Sequence, residues 1–174
     1  MPASVRYRLD PLEEGVLLVA RSAKGLVRVA FGFAPASLGA ALRGCDARPD
    51  RGDRLLAAAA ERIRSWFDDP ATPLDDLPLD PPGTPFQLRV WAELRRLRAG
   101  EVVSYGALAA RIGRPRAARA VGAACRANPL LFVIPCHRVV GSRDLGGFGR
   151  LGLAFKRRLL AREGVTFAAP PSPL

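Results

Sequence analysis

The sequence predicts an α+β fold: a small N-terminal β-sheet with one helix, followed by a mainly helical C-terminal region that contains a winged-helix-like helix-turn-helix. Three observations carry this. Short β-branched and apolar runs punctuated by glycine fill residues 5–32, helical apolar spacing dominates after residue 53, and a proline-rich break at 78–85 coincides with a switch in charge. Residues 1–80 carry 11 basic against 12 acidic side chains, whereas residues 81–174 carry 16 against 4. We therefore expect an N-terminal scaffold over 1–80 and a basic domain over 81–174 whose excess charge suits an anionic partner, above all nucleic acid.

The runs V-R-Y-R-L-D, G-V-L-L-V-A-R-S and L-V-R-V-A-F-G read as an antiparallel meander turned at Gly15 and Gly25. Arg43 to Gly52 is a polar break holding Cys45. From Asp53, a candidate N-cap, Leu55, Leu56, Ala59, Ile63, Trp66 and Phe67 recur at helical spacing. Leu74 to Asp80 reads as a short edge strand, and Pro78 to Pro85 as a linker. Thr84-Pro85-Phe86-Gln87 is a capping box with proline at the first helical position, opening a helix that runs to Gly100. Ser104 caps a helix over Tyr105 to Ile112; after Gly113, a second begins at Pro115 and stops before Asn128-Pro129. Two short helices about a glycine turn, the second rich in arginine, form a helix-turn-helix. Ala118, Val121 and Cys125 make its core side, with Cys125 a structural thiol; Arg119 and Arg126 share another face, with small Gly122 and Ala123 between them. Apolar runs flank Pro135-Cys136-His137-Arg138, predicting two extended segments joined by a rigid turn; a glycine-rich loop then leads to a last helix, Leu153 to Glu163.

Cys45, Cys125 and Cys136 sit at spacings that match neither a zinc site nor a disulfide framework. The chain has a single histidine, His137, directly beside Cys136. A thiol attacks only as thiolate, so a neighbouring imidazole is the natural proton acceptor, and that imidazole needs an acceptor on its second nitrogen. Only Glu93, Glu101, Asp144 and Glu163 are acidic in the basic half. Glu163 stands out, because a helix C-terminus disfavours a carboxylate by ~0.3–1 kcal/mol. Gly147 to Gly152 matches G-x-G-x-x-G, but too little chain follows to build a dinucleotide-binding unit.

The run I-P-C-H-R-V-V-G, with G-E-V-V-S-Y-G-A-L-A, A-A-R-A-V-G-A-A and A-N-P before it and K-R-R-L-L-A-R-E-G after it, closely resembles the methylated-DNA–protein-cysteine methyltransferases, which repair O6-alkylguanine in DNA. The likeness runs through residues 84–164. It implies that Cys136 accepts the alkyl group, that His137 ionises it through a water, and that Glu163 orients the histidine. Asn128 would brace the turn, and Tyr105 would help rotate the nucleotide and stabilise departing guanine. Arg119 would enter the duplex as a finger in place of a flipped base. Arg126, Arg116, Ser104, Gly122 and Ala123 would complete a minor-groove surface. The resemblance implies one turnover per molecule, no cofactor, no metal, duplex DNA carrying O6-alkylguanine as the partner, a monomer, and a cytoplasmic, nucleoid-associated location without a membrane. Arg150-Leu151-Gly152 departs from the small residues usual in that loop, so Leu151 is expected to disfavour bulky adducts. A non-catalytic lesion-binding relative is the alternative, which the presence of Cys136 opposes; a helix-turn-helix regulator and a cysteine hydrolase are more distant.

Overall fold

The computed structural model describes residues 4–166, so the last eight residues of the expected 81–174 domain lie outside it. The predicted meander forms as β1 (Ser4–Leu12), β2 (Gly15–Arg21) and β3 (Leu26–Gly32). β2 is central and covered on both faces, which is why its sequence is a continuous apolar run. Leu17 and Val19 enter the main core, while Leu18 and Ala20 pack with Val5 and Leu38, the latter on a 3-10 helix at Pro35–Leu42. The segment read as a polar break instead carries a fourth strand, β4 (Asp46–Pro49), parallel to β1. Its residues are mostly exposed, because an edge strand is held by backbone pairing on one side and tolerates Pro49.

α1 (Arg54–Asp68) starts where predicted, with Asp53 Oδ1 accepting from the amides of Leu55 at 2.9 Å and Leu56 at 3.1 Å. It buries Leu56, Ala59, Ile63 and Trp66 against the sheet; Leu55, assigned to that face, is 60% exposed because it precedes the stripe by about 100° of helix. The expected edge strand at 74–80 reduces to one bridge, Leu26 to Leu79, since the prolines around it lack amide donors.

α2 (Pro85–Leu94) opens with both hydrogen bonds of the capping box and ends earlier than predicted, tightening into turns that keep Leu97 buried. β5 (Val103–Ser104) precedes α3 (Tyr105–Arg111), and α4 (Ala118–Arg126) begins three residues after Pro115 because Arg114 to Ala117 form a separate turn. The core side of α4 is Val121 and Ala124; Ala118 and Cys125 are half-buried, a rotation of one position from the predicted face. β6 (Val139–Val140) pairs in parallel with β5, and α5 (Gly152–Arg162) completes the described chain.

One core runs through both halves, joining Leu17, Leu56 and Ile63 to Val90, Leu94, Ile134 and Phe155. A backbone connection reinforces it: Val29 donates to Pro129 O at 2.9 Å and accepts from Leu131 at 3.1 Å. The sheet edge thereby holds the segment that leads to Cys136.

Candidate active site

Between Leu130 and Val139 the chain doubles back in a series of tight turns. Ile134 N donates to Leu130 O at 2.8 Å, Phe132 takes a left-handed φ of 71°, and Cys136–Arg138 form a single 3-10 turn. Of the two extended segments predicted here, the second forms as β6, whereas the first is reduced to isolated bridges and turns because its backbone donors are mostly satisfied locally. Asn128 ties the approach together. Its Oδ1 accepts from Leu130 N at 2.9 Å, and its Nδ2 donates to Ile134 O at 2.8 Å and to Cys136 Sγ at 3.2 Å. Cys136 is 8% exposed, and burial pushes its thiol pKa up against the opposing pull of the Asn128 hydrogen bond and of the Lys156 charge.

Behind the cysteine lies a fully buried polar chain. His137 Nε2 donates to Glu163 Oε1 at 2.9 Å, and Arg138 grips both carboxylate oxygens through Nε and Nη2 at 2.8 to 3.2 Å. Gly100 N adds a fifth contact at 3.3 Å; its φ of 81° and the approach of Glu163 O suit glycine there. Burial favours a neutral Glu163, but the hydrogen bonds from His137 and Arg138 outweigh it and hold the carboxyl at about 2. An ionised Glu163 places the imidazole proton on Nε2, which leaves Nδ1 free to accept one. Burial pushes the His137 pKa down despite the Glu163 contact, so the resting pair is a neutral thiol beside a neutral imidazole. The site can therefore generate a thiolate by passing one proton to His137, with Glu163 compensating the new charge.

Tyr105 begins α3, its amino-terminal neighbour Ser104 accepting from Ala107 N at 3.1 Å as the helix cap. Its half-buried ring lies against Gly146, where a Cβ would come within 2.8 Å of the ring and where φ is 67°, so that loop position requires glycine. Burial pushes the phenol pKa up and keeps it a donor at neutral pH. The glycine-rich loop is held from beneath by Lys156, which is wholly buried and donates to Val139 O and Leu145 O, both at 2.5 Å, and to Gly147 O at 3.3 Å. Burial pushes this amine down to about 8. Phe148 and Trp66 flank the imidazole with centroids 6.5 and 5.7 Å away, and Leu151 packs half-buried against the core at the end of the loop.

Arg138, Lys156 and Trp66 were missed in the sequence reading. Lys156 had a signal, being one of two lysines among 27 basic residues and set in the apolar stripe of its helix. Trp66 had none, because its contact with His137 crosses between the halves. Cys125, with burial pushing its pKa up to about 12, is inert as expected, and Cys45 is exposed.

Arg116, Arg119, Ala123 and Arg126 are exposed, and the three arginines make no side-chain hydrogen bond or ion pair with the described residues. Gly122 faces the Tyr105 ring, where a Cβ would make only an ordinary 3.7 Å contact. Packing within the chain thus does not demand glycine at 122, and the α4 face carrying Arg119 and Arg126 adjoins the tyrosine at the site. Among the described residues no group of three His, Cys, Asp or Glu side chains has metal-binding geometry, and no helix is long and apolar enough to cross a membrane.

Residues 85–165 match the model of the 6-O-methylguanine DNA methyltransferase DNA-binding domain. A methylated-DNA–protein-cysteine methyltransferase of Metallosphaera sedula is 40% identical over 110 residues, which cover 63% of this chain and 69% of that protein. The chain belongs to the methylated-DNA–protein-cysteine methyltransferase family. A crystal structure of Mycobacterium tuberculosis OGT in complex with DNA superposes with a TM-score of 0.71 at 33% identity, covering 92% of each chain. The bifunctional transcriptional activator/DNA repair enzyme Ada of Escherichia coli is 42% identical over 163 residues, which are 92% of this chain but 46% of Ada. The chain therefore spans about half the length of that relative. The match to OGT places the α+β architecture among methyltransferases of this family.

Proposed function

We propose that this chain repairs duplex DNA by taking the alkyl group of O6-alkylguanine onto Cys136, once per molecule. The observation that carries the reading is the buried chain Cys136, His137, Glu163, set beside Tyr105 and the free arginines of α4. His137 Nδ1 takes the thiol proton through a water, the thiolate attacks the alkyl carbon in line, the S–C bond forms and the O6–C bond breaks. The leaving guanine takes a proton, with the Tyr105 phenol as donor. A thioether is not hydrolysed by any group at this site, so the reaction stops there.

The target carbon is inaccessible in a stacked duplex, so the nucleotide must rotate out at a cost of a few kcal/mol. Arg119 fills the gap, while Arg116 and Arg126 contact phosphates and Gly122 with Ala123 permits close approach. Affinity then rests on backbone and shape, which suits repair at any sequence. Leu151 narrows the pocket, so methyl is the preferred group. The protein acts as a monomer, without cofactor or metal, in the cytoplasm at the nucleoid.

The test is the mass of the Cys136 tryptic peptide after incubation with duplex containing O6-methylguanine. A gain of one methyl group, together with restored guanine, is the expected result. An unmodified peptide from folded protein, with the lesion intact, overturns the proposal.

A further inference from the structure

A cleft of about 500 Å³ lies between the loop after α1 and the carboxyl end of α2. Trp66, Leu97 and Pro135 form part of its wall, and Arg138 reaches it from the turn. None of Tyr105, Arg116, Arg119 or Arg126 lines it.

Its charge is unusual. Arg95, Arg96, Arg98 and Arg138 line it against one carboxylate, Asp75. Arg138 is neutralised by Glu163, and Arg96 pairs with Glu93 at 2.8 Å. Arg98 makes no side-chain contact of either kind with the described residues. Arg8, Arg21, Arg62, Arg64 and Arg138, half-buried or buried, each meet a carboxylate; Arg95, like Arg28, does not. The Arg95 guanidinium meets only the backbone carbonyls of Asp75 and Leu77, and its buried Nε–H has no acceptor. Asp75 and Asp76 act on this desolvated cation only through space; with neutral carbonyls as its hydrogen-bond partners and a donor left over, it has room for an anion. The Asp75 carboxylate and the carbonyl end of α2 both oppose negative charge there, so an anion that meets only one arginine gains little. A compact group with several charges, able to reach Arg95 and Arg98 together, gains most.

We propose that this cleft is a binding site for a diphosphate-class anion, held by Arg95, Arg96 and Arg98 and separate from Tyr105 and the arginines of α4. Such a ligand would rest against Pro135 and Arg138, which bracket the Cys136-His137 pair. The site is independent of the transfer reading and is measured without it.

The experiment titrates the whole chain with sodium pyrophosphate at constant ionic strength and follows the arginine Nε–H and tryptophan indole signals by NMR. The Arg95 Nε–H and Trp66 indole signals are expected to move together along one saturating curve. Arg98→Ala, at an exposed position that does not threaten folding, should weaken that curve by about tenfold, the worth of one charge-assisted hydrogen bond. Arg119→Ala should leave it unchanged. Shifts that never saturate, shifts confined to α4, or an affinity lost in Arg119→Ala but kept in Arg98→Ala would each overturn the site.

Discussion

The two halves of the molecule bury charge for different ends. In the N-terminal half, Asp53 is a junction: it caps α1, and its second oxygen takes Arg21 Nε at 2.8 Å, so one carboxylate fixes the helix against the sheet. Arg8 and Asp10 make a comparable local pair on β1. In the C-terminal half, Glu163, Arg138, His137 and Lys156 all converge on the 136–147 segment, and together they hold the Cys136–Arg138 turn, the start of β6 and the loop that follows. Polar burial costs free energy in both places. In the first half it is recovered as stability; in the second it fixes the protonation state of His137 and the position of the proposed nucleophile, Cys136.

The sharpest break in that comparison comes at Glu163. Glu163→Gln leaves Arg138 buried without a counter-charge and denies His137 its compensating carboxylate. Single-turnover transfer from O6-methylguanine duplex should fall by about 10²-fold, and stability should drop by ~3–5 kcal/mol in urea titrations. Unchanged transfer would mean that the buried charges of the two halves do the same job. A smaller effect is expected at Arg119. Arg119→Ala should slow transfer in duplex about tenfold more than transfer from free O6-benzylguanine, provided that Leu151 admits the benzyl group; equal losses on both would remove the flipping role.

In the scaffold, Asp53→Ala should cost ~1–3 kcal/mol through the lost cap and the stranded Arg21. Transfer measured well below its melting temperature should stay at the parent rate. A slower rate would show that the sheet edge transmits strain to the turn. The mildest test uses pH. The carboxyl of Glu163 sits at about 2 in the folded protein against an ordinary 4.5. The unfolded chain therefore takes up that proton first as pH falls, and the Glu163 contribution is complete above the ordinary value and lost on the way down to about 2. Melting temperature followed through that window should fall less steeply in Glu163→Gln than in the parent. Parallel curves would place the acid sensitivity elsewhere, with Asp53 the first candidate, since its Arg21 and amide contacts outweigh burial and hold it low.

Much of this was legible because the chemistry depends on rare residues. One histidine, one asparagine and a glutamate against its helix dipole point to a single turn, and Asn128, His137 and Glu163 meet there. Capping positions were equally readable, since Asp53, Thr84 and Ser104 declare helix starts by side-chain chemistry. What escaped was set by tertiary context. β4 lacks any apolar alternation and exists only because β1 offers a free edge. Cys125 is only partly buried because α4 packs through Val121 and Ala124, a face set by its tertiary neighbours. Trp66 reaches His137 across the molecule, a contact that no local pattern records.

The join between Val29 and the 129–131 segment links residues about a hundred positions apart. Closing so long a loop is entropically expensive and must precede the contacts that reward it. The strand that supports the cysteine is made before the cysteine itself, and Glu163 after both. A chain emerging from the ribosome can therefore form its four-stranded sheet before Cys136 exists, and His137 gains its carboxylate partner only when Glu163, at the end of α5, docks.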